Sequence, residues 1–274
     1  MNCMILLVRL SMICLGTLLL ALDANAGSAE DCSQSADQSL RIKACSQFIL
    51  ENPRNSNLAL AYTFRGAAYS ASGDNVRAMA DFNEALKRNP DLYEAVYERG
   101  IGYARMRDNQ RMLQDTERAV QLNPSDWRGY NLRGNANKNL GNYDRAIADY
   151  GEAQRLNPKH PWPSLNRCEL FIVQNKLDLA LSSCNESLQL GTVPEALRLR
   201  AIVNIKMRKF DQAIEDLDAA YKSYPTSANI LYARGVAKRL KGDVSGGDTD
   251  ITASSQLKPA DAAAMFKQFG VPGY

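Results

Sequence analysis

A 34-residue period constrains this chain more than any other feature. Pro90, Pro124 and Pro158 stand 34 apart, each after an Asn; Pro225 lies 67 beyond Pro158 and Pro259 another 34 on. Three columns of mostly small residues keep the same step. The first is Gly66, Gly100, Gly134, Cys168, Ala201 and Gly235. The second is Ala78, Met112, Ala146, Ala180, Ala213 and Gly247, and the third is Ala85, Ala119, Ala153, Ser187, Ala220 and Ser254. One residue is lost around "LGTVPE", between the fourth and fifth copies. A 34-residue unit is too short to bury its own apolar face, so neighbours must stack to make a core.

Each copy reads as two helices. In the third, apolar residues recur at helical spacing over about 127–139 and again over about 143–156. Gly141-Asn142 supplies the turn between them, and Asn157-Pro158 ends the second helix. Small residues at 134, 146 and 153 let the two helices approach closely.

The period and its columns resemble the tetratricopeptide repeat. The clearest copy is "YNLRGNANKNLGNYDRAIADYGEAQRLNP" (130–158), where Tyr130, Gly134, Ala146, Tyr150, Ala153 and Pro158 match the family pattern. Tyr62, Gly66, Tyr69, Ala78, Phe82, Ala85 and Pro90 match it equally well in 59–92. The resemblance implies an all-α solenoid, a right-handed superhelix of antiparallel helix hairpins. Six repeats are expected, at 59–92, 93–126, 127–160, 161–193, 194–227 and 228–259. Residues 27–58 read as an N-terminal capping helix segment and 260–274 as a C-terminal capping helix and tail, with Met265, Phe266 and Phe269 covering the last apolar face. The sixth copy is degraded: Gly246 and Gly247 fall mid-helix, at roughly 1 kcal/mol each relative to Ala.

The first 26 residues differ from the rest. Residues 1–22 carry one charge, Arg9; the apolar run 10–22 is followed by Ala24 and Ala26 before Gly27, the pattern of a secretory signal peptide. No later stretch is long and apolar enough to span a bilayer. The expected location is therefore outside the cytoplasm, in the periplasm, with secretion or an N-terminal anchor as alternatives. A net charge of +3, with no Lys/Arg run, argues against a nucleic-acid partner. Cleavage would leave Cys32, Cys45, Cys168 and Cys184, an even number that suits disulfides in an exported protein.

Two pairs of columns cross between the helices of a copy. Arg65, Arg99, Arg133, Arg167, Arg200 and Arg234 each precede by sixteen residues Asp81, Asp115, Asp149, Ser183, Asp216 and Asp250. An Arg–Asp clasp is expected in five copies; an Arg-lined ligand groove is the alternative. In the copy with Ser183, Cys168 and Cys184 occupy the next pair of columns, also sixteen apart. They should face each other across the helix pair, as a disulfide or as two buried thiols. Cys32 and Cys45 would tie the N-terminal segment to the array, or serve as small core residues.

No catalytic constellation is evident. His160 is the one histidine, in "NPKHPWP", and neither a Ser/His/Asp set, a metal site nor a phosphate loop can be assembled. No enzyme activity and no cofactor are expected. The resemblance instead implies a groove lined by the first helix of each repeat, with a protein or peptide as partner. Its candidate residues are Tyr97, Arg105, Arg128, Asn131, Asn135, Lys138, Asn139, Trp162, Arg198, Tyr232 and Arg239. Family members that grip a peptide carboxylate use Lys and Asn, then Asn, then Lys or Arg on successive repeats. Asn135 and Asn166 match two of these positions, but Asn131 stands where Lys is expected, and Glu195 and Leu199 replace the basic residues, so the full clamp is not expected. A different reading is an envelope-assembly factor binding a glycan or other polymeric ligand, with Trp127 and Trp162 stacking on sugar.

Overall fold

A computed structural model describes residues 29–191, 193–257, 263, 264, 267, 269 and 270. The leader expected over 1–26, Pro259, Met265 and Phe266 lie outside the described residues. Thirteen helices follow one another among the described residues: α1 (Gln38–Glu51), α2 (Leu58–Ala71), α3 (Asn75–Arg88), α4 (Tyr93–Arg105), α5 (Asn109–Leu122), α6 (Trp127–Asn139), α7 (Tyr143–Leu156), α8 (Pro161–Val173), α9 (Leu177–Leu190), α10 (Pro194–Lys206), α11 (Phe210–Ser223), α12 (Ala228–Lys241) and α13 (Val244–Leu257). They divide into two compact parts, Met1–Pro124 with α1 to α5 and Ser125–Tyr274 with α6 to α13. Each part is an all-α stack of helix hairpins. Residues 127–139 and 143–156, read from periodicity as helices, are α6 and α7.

Local chemistry sets the helix ends. Asp37, Asp74, Asp108 and Asp126 cap α1, α3, α5 and α6 by accepting backbone N–H bonds. Every hairpin turn places one residue in the left-handed region: Gly73, Arg107, Gly141, Asn175, Arg208 and Gly242, with φ between 57° and 109°. These six form a column of their own, which Gly fills without strain and Arg does not. Four residues separate α7 from α8 (157–160), but only three separate α9 from α10 (191–193), which locates the lost residue.

The small-residue columns are contact points. A Cβ on Gly66 would lie 2.7 Å from Phe82 Cε1, and one on Gly134 would lie 2.5 Å from Tyr150 Cε1. One of the two glycines that weaken α13, Gly247, has the same cause. A Cβ on Gly247 would meet Arg239 Cγ at 2.4 Å and the Gly235 carbonyl at 2.7 Å, so the bare backbone is what lets α13 close on α12.

The C-terminal segment departs from expectation. Phe269 does not cap α13. It is buried in the core cluster that includes Leu165, Ile202 and Val236, and Lys206 Nζ of α10 donates to its carbonyl at 2.6 Å. The exposed face of α13 is largely polar, with Ser245, Asp248, Thr249, Thr252 and Gln256, and carries the exposed Val244 beside them.

Candidate functional site

The arginine and aspartate columns meet as bidentate pairs. Arg65 donates through Nε and Nη2 to Asp81 at 2.8 Å each, and Arg99 does the same to Asp115. Arg133–Asp149, Arg200–Asp216 and Arg234–Asp250 close at 2.6, 2.6 and 2.7 Å. Fork-on-carboxylate geometry is the strong form of this interaction. The aspartates are 5 to 6% exposed, so these pairs belong to the interior of each hairpin rather than to a ligand surface.

A third bond of the clasp was not foreseen. The remaining nitrogen, Nη1, reaches back to the preceding hairpin: Arg99 to Asn83, Arg200 to Asn185 and Arg234 to Asp218, each at 2.9 Å, and Arg65 to Ser46 of α1 at 3.1 Å. Each arginine thus ties its own helix to two others. For Arg99, Arg200 and Arg234 the partner is a polar residue fifteen or sixteen positions upstream, and for Arg65 it is nineteen upstream. Arg167 lacks both partners, because Gly151 stands at the upstream position and Ser183 at the downstream one.

In that copy the cysteines take over. Cys168 and Cys184 are within disulfide distance, with Cα atoms 5.3 Å apart and no exposure. Cys32 and Cys45 are likewise paired, Cα to Cα 4.6 Å, which fastens the helical turn at 29–34 to α1.

The candidate groove residues do not share one environment. In the N-terminal part, Tyr97 stacks on Tyr93 with ring centres 5.9 Å apart, and Arg105 donates to the hydroxyl and carbonyl of Ser70 on α2. In the C-terminal part, α6 and α8 present a polar face in which side chains are held by one another. Asn166 donates to Asn131 at 3.1 Å, Lys138 pairs with Glu169 at 2.8 Å, and the Tyr150 hydroxyl donates to Asn135 at 2.8 Å. Burial, with the Glu169 and Asp149 charges, pushes the Tyr150 hydroxyl well above its ordinary pKa, so it stays a donor. Arg128 is exposed and pairs with Asp126; Asn139 and Trp162 are also exposed.

Three candidates are placed elsewhere. Arg198 and Tyr232 are each only 4% exposed, and Tyr232 belongs to the core cluster that holds Phe269. Arg239 turns to Asp248 on α13, across the gap left by Gly247. Trp127 packs on the His160 ring at 4.2 Å, and His160 caps α8, so neither Trp127 nor His160 offers a free stacking face. Among the described residues no helix is long and apolar enough to cross a membrane.

Comparison with known proteins agrees with this geometry. Three family models described as tetratricopeptide repeat match residues 59–92, 127–160 and 198–246. No curated protein matches the chain. Among solved structures, a tetratricopeptide repeat protein from Parabacteroides merdae ATCC 43184 superposes with TM-score 0.69 at 17% identity, covering 90% of this chain and 97% of its own. The structure described as Pseudomonas aeruginosa pilF gives 0.66 at 18% identity, over 77% and 96%. YrrB, described as a TPR protein with an unusual peptide-binding site, gives 0.52 at 17% identity, over 68% and 97%. At these identities the likeness is one of fold.

Proposed function

The chain belongs to the tetratricopeptide-repeat family, and from that premise we propose that it is a non-catalytic scaffold that docks another protein or peptide on the first-helix face of its hairpins. The observation that carries this reading is the α6–α8 face. There Asn131, Asn135 and Lys138 are partly exposed, yet each is held by a neighbouring side chain. A partner meeting such a surface orders little on the scaffold's side, so less of its binding energy goes into immobilising side chains. That a fold neighbour is described as having a peptide-binding site supports the same use of the fold here.

Export to the periplasm is part of the proposal. The two buried cysteine pairs support it, since such pairs persist in oxidising compartments. The glycan reading draws on Trp162 alone once Trp127 is committed to His160, and no other observation favours it.

The test is site-specific photocrosslinking in the native host. A photoreactive residue at Asn139, exposed beside the proposed face, should trap a partner protein. One at Leu179, exposed on α9, should not. Equal yields from the two positions would contradict the assignment.

A further inference from the structure

The first-helix face of the last two copies, on α10 and α12, is closed around Phe269 of the same chain. In α6 the corresponding positions Asn131 and Asn135 are partly open, whereas Ile202, Ile205 and Val236 are no more than 4% exposed. Phe269 is 3% exposed within the same cluster, Ala263 packs against it, and Lys206 Nζ holds the Phe269 carbonyl. Gly270 follows in the left-handed region with φ +67°.

Arg198 lies on the same stripe of α10 as Lys206, eight residues and about 12 Å away. Its Nε and Nη2 pair with Glu195, but Nη1 is buried and has no hydrogen-bond partner. A buried guanidinium nitrogen left unpaired is costly, and a carboxylate is the acceptor that suits it best. Burial also holds the Lys206 ammonium below its ordinary pKa, as expected for a cation whose partner is a neutral carbonyl.

We propose that this face is a docking groove for a peptide bearing an aromatic side chain and, three to four extended residues away, a carboxylate, with Phe269 as its resident competitor. The incoming aromatic ring takes the place of Phe269, its carbonyl takes Lys206 Nζ, and its carboxylate reaches Arg198 Nη1. The inference rests on the peptide-docking reading and names the chemistry of the partner. Because the resident segment is tethered, its effective concentration is in the millimolar range, and an external peptide must outcompete it.

Two labelled synthetic peptides serve as probes, an Ala/Gly chain with one Phe and one Asp placed four residues before or after it, each with an Asn counterpart. Fluorescence anisotropy is read against the full chain and its Phe269→Ala variant. One Asp probe should bind Phe269→Ala at least tenfold tighter than the unsubstituted chain and lose about tenfold when Asp becomes Asn. Adding Arg198→Met should erase the Asp/Asn difference. Lys206→Met, which leaves the Phe269 ring in place, should give an intermediate tightening, and it carries the test if circular dichroism shows Phe269→Ala to be unfolded. Equal affinities for the unsubstituted and tail-weakened chains, or no Asp/Asn discrimination, would overturn the inference. Those results with the Asn139 crosslink intact would leave the docking role standing; loss of the crosslink would instead remove the reading on which the inference rests.

Discussion

Cys184 meets Cys168 at the pair of positions where Tyr150 lies on Gly134 one copy earlier. In both copies a first-helix residue and a second-helix residue sixteen later close the hairpin, once by a ring over bare backbone and once by two sulfurs. A bond there closes a 17-residue loop (168 to 184), for which chain entropy gives about 3 kcal/mol. Cys184→Ser should therefore lower the unfolding free energy by about 2–4 kcal/mol. A non-reduced digest of protein from its native compartment should contain a Cys168–Cys184 peptide pair. Free, alkylatable thiols at both positions would contradict the pairing.

The arginine clasps should behave unlike surface ion pairs. Arg99 holds a carboxylate that is 6% exposed and also bonds Asn83, whereas Arg77 pairs with Asp74 in the open. Arg99→Met leaves a buried carboxylate unpaired and should cost about 1–3 kcal/mol in denaturant unfolding. Arg77→Met, whose pair is open to solvent, should leave the unfolding midpoint nearly unchanged. Similar losses for the two variants would show that the clasp contributes no more than a surface pair.

Two hairpin turns carry strain that a single substitution removes. Arg208 takes the left-handed conformation that Gly73, Gly141 and Gly242 take in other copies, with φ 60°. That conformation costs an L-residue about 1–2 kcal/mol, against about 0.5–1 kcal/mol of chain entropy for glycine. Arg208→Gly should raise stability by about 0.5 kcal/mol, read as a higher urea midpoint. The same change at Leu199, mid-helix and buried, should lower it.

The clasp in the last hairpin predicts a pH dependence. Burial pushes the Asp250 carboxyl upward, but hydrogen bonds from Arg234 and Lys238 together bring it below its ordinary 3.8. A carboxyl depressed by folding contributes stability that is complete above the unfolded value and is lost as pH falls through the folded one. The stability gap between the unsubstituted chain and Asp250→Asn should thus be full at neutral pH and shrink as pH falls below the ordinary carboxyl value of 3.8. A gap that stayed constant as pH fell well below that value would contradict the ionic role of Asp250.

Much of this was legible in the sequence because repetition turns single residues into columns. Sixteen residues between Arg99 and Asp115 is one fixed step in a hairpin, so five pairings followed from one geometry. Features that lie outside the column logic were harder to see. The backward bonds of Arg99, Arg200 and Arg234 link adjacent hairpins, and their partners vary between Asn and Asp. The left-handed column mixes Gly with Arg and Asn, so composition does not reveal it. The placement of Phe269 is a long-range choice between two surfaces, the end of the array and the first-helix stripe, with Lys206 of α10 holding its carbonyl. The polar exposed face of α13 together with the apolar stripe of α10 decided between them. For the same reason Arg198, Tyr232 and Arg239, sound groove candidates by position, are buried or turned aside.

The central claim is that the α6–α8 face docks a partner protein, and one measurement bears on it most directly. The partner trapped by the Asn139 crosslink is identified, purified, and titrated against the full chain and an Arg128→Ala/Asn135→Ala/Lys138→Ala variant of unchanged helicity. The account predicts that the triple variant loses binding by at least a hundredfold. Undiminished affinity in a folded triple variant would contradict it.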